Sequence, residues 1–366
     1  MAFGGMFRTT KACQSLVRRM CRWQAEGGPN VAAGIGRAQR QQSNLLAPTM
    51  AKQLNRNDMD KRNNNGISRR TALKRMGMLM AGASCLGLPT LTSCDMETKK
   101  RIILYFTATG NCLYVARELA DKHTELLSIP QMMKQKRYTF EADEIGIVYP
   151  VYGHMPPNMV REFINKARLT ARYKFAILTY GNRKCSSVEI WDDISRKAGC
   201  AFDYITTMIM VDNWLPNFDM NEQIKIDKHI PESLDRITAD INSHRRWHEP
   251  VTELERQQHA GFLKSSGVNP EVGFKMMSQE AFAVTDSCIG CGICTEVCPR
   301  GNYTLTSTGV KTEGDCEFCF ACIHNCPQKA IVFKQLKEVN PNARYRNEHV
   351  SLWSIKEANR QNKPTE

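Results

Sequence analysis

The sequence lacks the residue patterns that mark several common enzyme classes. It has no arrangement of Ser, His and Asp, no pair of carboxylates within a motif and no signature for a second substrate. Nucleophilic hydrolysis and carboxylate acid–base catalysis are therefore not indicated by any of its motifs.

The sequence also lacks a disulfide framework. Such frameworks usually belong to small secreted domains, and this chain has 366 residues. Eight of its 15 cysteines lie in one dense segment between residues 288 and 326. The remaining seven show no paired spacing and are not predicted to form disulfides. They are Cys13, Cys21, Cys85, Cys94, Cys112, Cys185 and Cys200.

Most of the chain has little excess charge, although the formal net charge is +13. Residues 1–98 contain 15 Lys and Arg against 5 Asp and Glu, whereas the other 268 residues contain 35 against 32. The basic excess therefore lies in a leader, where contact with a membrane or a translocon explains it better than nucleic acid does. We expect no nucleic-acid partner.

The eight clustered cysteines form two matching motifs. The first reads C-I-G-C-G-I-C-T-E-V-C-P from Cys288 to Pro299, and the second reads C-E-F-C-F-A-C-I-H-N-C-P from Cys316 to Pro327. Each has the spacing C-x2-C-x2-C-x3-C-P that binds 4Fe–4S clusters. A zinc site would use two C-x2-C pairs, whereas here a third and a fourth cysteine repeat in step.

The spacing predicts two 4Fe–4S clusters. Two residues between thiolates let three cysteines of one motif reach three corners of one cubane. The fourth cysteine follows a short turn, faces the other way and ligates the other cluster. The predicted sets are Cys288, Cys291, Cys294 and Cys326 for the first cluster, and Cys298, Cys316, Cys319 and Cys322 for the second.

Residues 281–335 resemble bacterial two-cluster ferredoxins. The resemblance rests on the two cysteine motifs and on flanking strands predicted at Ala281–Val284 and Ala330–Phe333. It implies a small α+β domain whose function is electron transfer.

The region from residue 99 to residue 218 alternates strands and helices. Continuous apolar runs predict buried parallel strands, and the alternation predicts a doubly wound α/β sheet with ligands at the carboxyl ends of the strands. The predicted strands are Arg101–Phe106, Leu126–Ile129, Glu144–Tyr149, Tyr173–Thr179 and Thr206–Val211.

A phosphate-binding loop is predicted after the first strand. Residues 107–112 read T-A-T-G-N-C and precede a helix, so main-chain N–H groups and threonine hydroxyls can bind an anion. The loop resembles the flavodoxin phosphate loop T-x-T-G-x-T, with a cysteine thiol, a poorer donor, in place of the last hydroxyl. The resemblance implies that FMN is held by its phosphate at Thr107, Thr109, Gly110, Asn111 and Cys112.

Two further loops resemble the ring-binding loops of flavodoxins. One follows the strand Glu144–Tyr149 and contains P-V-Y-G, and the other follows the strand Tyr173–Thr179. The resemblance extends the α/β flavodoxin-like domain over residues 99–218. It implies flavin-ring contacts at Tyr152, Gly153, Tyr180, Gly181 and Asn182.

The segments outside the two domains carry weaker signals. Residues 219–280 are predicted to be a helical connector, with a surface helix at Ile230–Trp247. Residues 336–366 are predicted to form a polar tail. Residues 1–58 lack a sustained apolar period and are either disordered or an extension upstream of a true start at Met59.

Residues 59–98 have the order of an export signal: basic, then apolar, then small residues. Ser68–Lys74 reads S-R-R-T-A-L-K and resembles the bacterial twin-arginine signal, with Ala72 where phenylalanine is commoner. Met76–Leu91 is too short and too rich in glycine to span a bilayer. Leu91–Cys94 resembles a lipoprotein cleavage box, which implies export and a lipid anchor on Cys94 that holds the protein at the membrane periphery.

The order of domains resembles bacterial ferredoxin-type proteins with an N-terminal flavodoxin-like region. The resemblance implies electron transfer between redox partner proteins, with clusters that pass one electron and FMN that can hold one or two. Two alternatives remain open at this point. The flavodoxin-like domain can be a flavin-free docking domain, or the chain can be a flavin-dependent reductase with its own small substrate; a cytoplasmic location is the alternative to export.

Overall fold

The structure is a computed structural model that describes residues 100–273 and 276–361. The predicted extension 1–58, the signal region 59–98 and Cys94 lie outside these residues. All described residues fall in one compact unit.

The first part of the described chain alternates strands and helices, as the sequence predicts. Its elements are β1 (Arg101–Tyr105), α1 (Asn111–Glu118), β2 (Thr124–Ser128), α2 (Ile129–Lys134), β3 (Thr139–Glu141), β4 (Glu144–Pro150), α3 (Asn158–Ile164), β5 (Arg168–Thr170), β6 (Tyr173–Tyr180), α4 (Ser187–Lys197), β7 (Tyr204–Ile209), α5 (Met220–Gln223), α6 (Ile230–Asn242), β8 (Trp247–His248) and α7 (Glu253–Ser266).

Six parallel strands form the central sheet in the order β2-β1-β4-β6-β7-β8. The strands β1, β4 and β6 are buried almost throughout, because helices cover both faces of the sheet. Close packing constrains single positions: a Cβ atom on Gly146 of β4 would lie 2.2 Å from the Phe175 ring of β6. The predicted doubly wound α/β fold is confirmed.

The sixth strand lies in the segment that we predicted to be a connector. The helix predicted at Ile230–Trp247 ends at Asn242, and His244 then adopts a left-handed φ of 52°. This turn returns the chain to the sheet, where Trp247 pairs in parallel register with Tyr204. The connector is therefore partly a continuation of the α/β sheet.

The second part carries the cysteine motifs. Its strands form two short antiparallel pairs, β9 with β12 and β10 with β11, which agrees with the small α+β domain predicted for this region. The elements are α8 (Ser278–Ala281), β9 (Phe282–Val284), α9 (Ile293–Val297), β10 (Tyr303–Thr306), β11 (Gly309–Thr312), α10 (Ala321–Asn325), β12 (Ile331–Phe333) and α11 (Leu352–Asn359).

The chain after β12 folds back onto both parts, which corrects the prediction of a polar tail. Val350, Ile355 and Ala358 are buried in the same apolar core as β1 and α1. The helix α11 is short, and one of its three buried residues is the polar Asn359, so its apolar face is inconspicuous in a polar stretch. We refer to residues 338–361 as the C-terminal segment.

The two parts also pack against each other directly. Arg300 donates to both carboxylate oxygens of Glu162 on α3, at 2.8 and 2.9 Å, and its Nε donates to Glu317 at 2.6 Å. Glu317 also accepts from the main-chain N–H of Met159 at 3.0 Å. This network fixes the cysteine-bearing part against the start of α3. Among the described helices, none combines the length and apolar character needed to cross a membrane.

Candidate cofactor sites

An open cleft lies at the carboxyl ends of the parallel strands and leaves about 1160 Å³ free of protein atoms. This is the expected place for a ligand in a doubly wound fold. Of the ten residues that the flavodoxin resemblance singled out, nine line the cleft. They are Thr107, Thr109, Asn111, Cys112, Tyr152, Gly153, Tyr180, Gly181 and Asn182.

The tenth residue, Gly110, belongs to the same loop but does not line the cleft. It has a left-handed φ of 103°, and a Cβ atom there would approach the Cβ atoms of Asn347 and Val350 to 3.0 Å. Glycine is therefore required by the contact with the C-terminal segment as well as by the backbone conformation. The flavodoxin resemblance places Gly110 at the phosphate, and the structure adds a contact of this position with Asn347 and Val350.

The C-terminal segment also fixes the side chain that begins α1. Asn111 Oδ1 accepts from Tyr345 OH at 2.6 Å and from Asn347 Nδ2 at 3.2 Å, while its Nδ2 donates to the Val211 carbonyl. The main-chain N–H of Asn347 donates to the Thr109 carbonyl at 2.8 Å. The phosphate loop is thus held from behind by residues more than 200 positions away in the sequence.

Three polar atoms on the cleft wall are buried and have no hydrogen-bond partner among the described residues. They are Thr107 Oγ1, Tyr152 OH and Trp214 Nε1. A buried donor without a partner is costly, and a few such groups in a native structure call for a specific explanation. A phosphate and a polar ring system would supply partners, so these residues fit FMN.

The other polar side chains of the phosphate loop already have protein partners. Thr109 Oγ1 accepts from Asn213 Nδ2 at 3.0 Å, and Cys112 Sγ lies 3.1 Å from Thr179 Oγ1. Burial raises the pKa of Cys112 to about 12, so its thiol is neutral. Cys112 therefore contributes its main chain to the loop, and Thr107 has the free hydroxyl.

Two titratable groups on the cleft wall have shifted pKa values. Burial, and then the neighbouring His259 and Arg183, lower the pKa of His154 to about 3. Its Nδ1 lies 3.3 Å from His259 Nδ1. Burial raises the pKa of Asp212 to about 6, although its carboxylate accepts from the main-chain N–H of Trp214. Burial therefore disfavours the charged form of both side chains.

The eight clustered cysteines line two separate cavities. The cavities leave about 370 and 320 Å³ free of protein atoms. No three His, Cys, Asp or Glu side chains converge on a single ion within the described part of the chain. A cubane spaces its thiolates more widely because each binds a different iron. Cys288, Cys291, Cys294 and Cys326 line the first cavity, and Cys298, Cys316, Cys319 and Cys322 line the second.

Several of the cysteine sulfur atoms accept hydrogen bonds. Main-chain N–H groups donate to Cys298, Cys316 and Cys326, each at 3.3 Å, and Tyr303 OH donates to Cys322 at the same distance. Donors of this kind stabilise negative charge on sulfur and shift the reduction potential of a cluster. Three of the four bonds reach the set that lines the second cavity.

The metal-free thiols are held neutral by their surroundings. Burial raises the pKa of Cys322 to about 12, and it raises the pKa of Cys294 and Cys319 further. Metal binding must therefore release protons from the cysteines. Burial is the largest cause of these rises, and the neighbouring cysteine sulfurs add to it.

The cleft and the second cysteine set share a wall. Phe318 and Phe320, which flank Cys319, both line the cleft. Tyr152 is partly buried on the same wall, and Cys319 packs in the core of the α/β part. The sequence analysis did not identify either phenylalanine as a cleft residue, because nothing in the sequence states how the two domains dock.

Comparisons with known proteins place two family models on the chain. A flavodoxin domain matches residues 102–188, and a 4Fe-4S binding domain matches residues 283–304. A ferredoxin of uncharacterized role from Methanocaldococcus jannaschii is 36% identical over 66 residues, which cover 17% of this chain and 86% of that protein.

Solved flavoproteins are similar to the α/β part. A flavoprotein from Lactobacillus acidophilus, in complex with FMN, is 15% identical. The match covers 30% of this chain and 93% of that protein, with a TM-score of 0.22. A putative flavoprotein from Bacteroides eggerthii is 17% identical, and the match covers 38% of this chain and 98% of that protein, with a TM-score of 0.25. Scores of this size do not bear on the cofactor.

Proposed function

Because the chain belongs to the ferredoxins and carries a flavodoxin domain ahead of its 4Fe–4S domain, we propose that it is an electron-transfer protein with two 4Fe–4S clusters and one FMN. The observation that carries this proposal is the shared wall between the flavin-type cleft and the second cysteine set. When bound, clusters supply one-electron transfer and a flavin one- or two-electron transfer, so one chain can convert between them.

The residues of the cleft have distinct roles in this proposal. The main chain of the phosphate loop and the free Thr107 hydroxyl bind the phosphate at the N-terminus of α1. Tyr152 and Trp214 present unpaired donors on the cleft wall. The Tyr152, Trp214, Phe318 and Phe320 side chains give the cleft aromatic surface against which a flat ring system can pack.

The two cysteine sets have different surroundings. Cys291 of the first set is exposed, and the neighbouring Ile289 is 64% exposed. Cys319 and Cys322 of the second set are buried. We therefore assign exchange with external redox partner proteins to the first cluster, and exchange with the cleft to the second.

Anaerobic purification with iron, sulfide and flavin quantified together tests the cofactors. Two clusters require about eight irons and an equal amount of sulfide per chain, with one FMN. Cys291→Ser should damage the first cluster and Cys319→Ser the second. One tightly bound zinc without sulfide would contradict the clusters, and flavin-free protein with intact clusters would support a docking role for the cleft.

Stopped-flow reduction at several dilutions tests transfer within one molecule. Reduction of the clusters should be followed by a flavin signal whose rate is independent of protein concentration. A rate that rises in proportion to concentration would mean transfer between molecules, and it would exclude the relay. Turnover of a small substrate without any protein partner would support the reductase alternative.

We further propose that the protein is exported and held at the membrane by a lipid on Cys94. The supporting residues are the arginine pair Arg69 and Arg70 and the small-residue box that ends at Cys94. Replacing both arginines with lysine should leave the protein in the cytoplasm, and Cys94→Ala should remove the acyl group. A soluble native protein that begins upstream of Cys94 would exclude this proposal.

A further inference from the structure

The two cysteine loops place different residues at equivalent positions. In the first motif Gly290 and Gly292 flank the second cysteine, and in the second motif Phe318 and Phe320 occupy the same two positions. The backbone conformation is nevertheless the same. The φ angles are 65° and 71° at the glycines, and 54° and 62° at the phenylalanines.

Left-handed backbone is unfavourable for a bulky side chain. Glycine adopts it freely, whereas a phenylalanine at positive φ is strained and rare. The second loop therefore contains two strained residues where the first shows that glycine is sufficient. Strain of this kind persists where the surroundings gain from the side chain, and it is concentrated at binding and active sites.

Available space does not explain the difference between the loops. A Cβ atom on Gly290 would meet only Leu305 Cδ1, at 3.9 Å, and one on Gly292 would meet only Thr295 Oγ1, also at 3.9 Å. The first loop has room for side chains at both positions. What distinguishes the second loop is its location beside the cleft.

Both phenylalanine rings lie on the cleft wall and are largely buried, with 9% and 4% of their surface exposed. Their centroids are 4.9 Å apart, and the Trp214 ring lies 5.3 Å from Phe320 and 5.8 Å from Phe318. Trp214 comes from the α/β part, so the three rings form one aromatic surface across the junction of the two parts. A flat aromatic ligand can pack against such a surface.

We propose that Phe318 and Phe320 form a binding wall for the flavin ring, built by the loop that carries Cys319. This inference rests on the proposed function. The strained backbone turns both rings toward the cleft, so the loop that holds the second cluster also holds one side of the flavin ring. The second cluster then exchanges electrons with the cleft, and the first cluster, which has glycines at these positions, does not.

Leucine substitutions separate this role from simple core packing. Phe318→Leu and Phe320→Leu keep apolar volume and lose the flat ring, and tyrosine at either position restores it. Phe333→Leu is the matched control, because Phe333 packs 5.3 Å from Phe320 in the same aromatic cluster but lies outside the cleft wall. Iron, sulfide, the dissociation constant for added FMN and the thermal midpoint of flavin-free protein are measured for each variant.

We expect each leucine variant to keep its iron and sulfide and to bind FMN about tenfold more weakly. Tyrosine should restore binding, and the control should lose thermal stability without losing FMN affinity. Unchanged FMN binding in both leucine variants, or an equal loss in the control, would overturn the inference. If a leucine variant loses iron, the same measurements are made on Phe318→Met and Phe320→Met, and unchanged FMN binding in both would overturn the inference. Wild-type protein that binds no FMN would instead refute the proposed function.

Discussion

The side-chain amide of Asn359 donates to the main-chain oxygen of Thr107 at 3.0 Å, and the same nitrogen donates to the Val297 oxygen at 3.1 Å. Thr107 opens the phosphate loop, and Val297 ends the helix of the first cysteine set. One fully buried side chain of the C-terminal segment thus bridges the predicted flavin site and the cluster domain.

Replacing Asn359 with alanine should loosen both sites together. The change leaves two buried carbonyl groups without a donor, which costs about 1–3 kcal/mol of stability. The thermal midpoint of anaerobic protein should fall, and FMN binding should weaken. Asn342→Ala, at an exposed position in the same segment, is the control and should change neither quantity. Equal behaviour of the two variants would show that the bridge does not couple the sites.

Cys112→Thr should leave FMN binding within about twofold of wild type, a difference of ~0.4 kcal/mol. The Cys112 thiol already lies against Thr179 Oγ1, so a new hydroxyl at this position would bond to Thr179. Thr107→Val should weaken FMN binding by about tenfold, because it removes the one free hydroxyl of the loop. Fluorescence titration with FMN measures both constants. Binding that becomes tenfold tighter in Cys112→Thr would show that position 112 does reach the phosphate.

Much of the fold could be predicted because its strongest signals are local. The apolar runs at Arg101–Tyr105, Glu144–Pro150 and Tyr173–Tyr180 are long enough to identify buried strands, and the cysteine spacing identifies the cluster-binding motif without any knowledge of the fold. The boundaries were less accurate. The second strand ends at Ser128 rather than Ile129, because Ser128 caps the next helix and Pro130 lies in its first turn.

The missed features depend on contacts between distant residues. Trp247 and His248 form a strand of two residues, which is too short to show any period. The sequence around Asn359 predicts a polar tail, because nothing local shows its partners 252 and 62 positions away. Phe320 looks like an ordinary residue between two cysteines, and only the docked structure places it on the cleft wall.

Arg300→Gln should destabilise the junction between the two parts. Glu317 is almost fully buried, and the loss of its guanidinium partner leaves an uncompensated carboxylate, which costs about 3–5 kcal/mol. Adding Glu317→Gln should recover part of this loss, because the remaining pair is neutral. Arg172→Gln is the control, since that side chain is 84% exposed and lies 3.9 Å from Asp143. The thermal midpoints and iron contents of wild type, Arg300→Gln, the double variant and Arg172→Gln test this prediction. A double variant no more stable than Arg300→Gln would contradict it.

The His154 side chain should make stability depend on pH on the acidic side of neutrality. Burial next to His259 and Arg183 holds the pKa of His154 at about 3, whereas an unfolded chain takes up this proton near the ordinary value of about 6.5. Between these values the unfolded state binds more protons than the folded state. The free energy of unfolding should therefore fall as the pH drops below about 6.5, by up to ~1.4 kcal/mol per pH unit from this group. Above that pH the contribution should be constant.

His154→Asn removes the titrating group, and asparagine tolerates the left-handed φ of 69° at this position. Unfolding by denaturant under anaerobic conditions, at several pH values between 5.5 and 7.5, should show a shallower slope for the variant. A residual slope should remain, because burial also lowers the pKa of His259. His123→Asn, at an exposed position, should give a curve parallel to wild type. If His154→Asn is also parallel to wild type, then His154 takes up its proton equally in the folded and unfolded states, and the buried histidine pair does not remain neutral in the cleft wall.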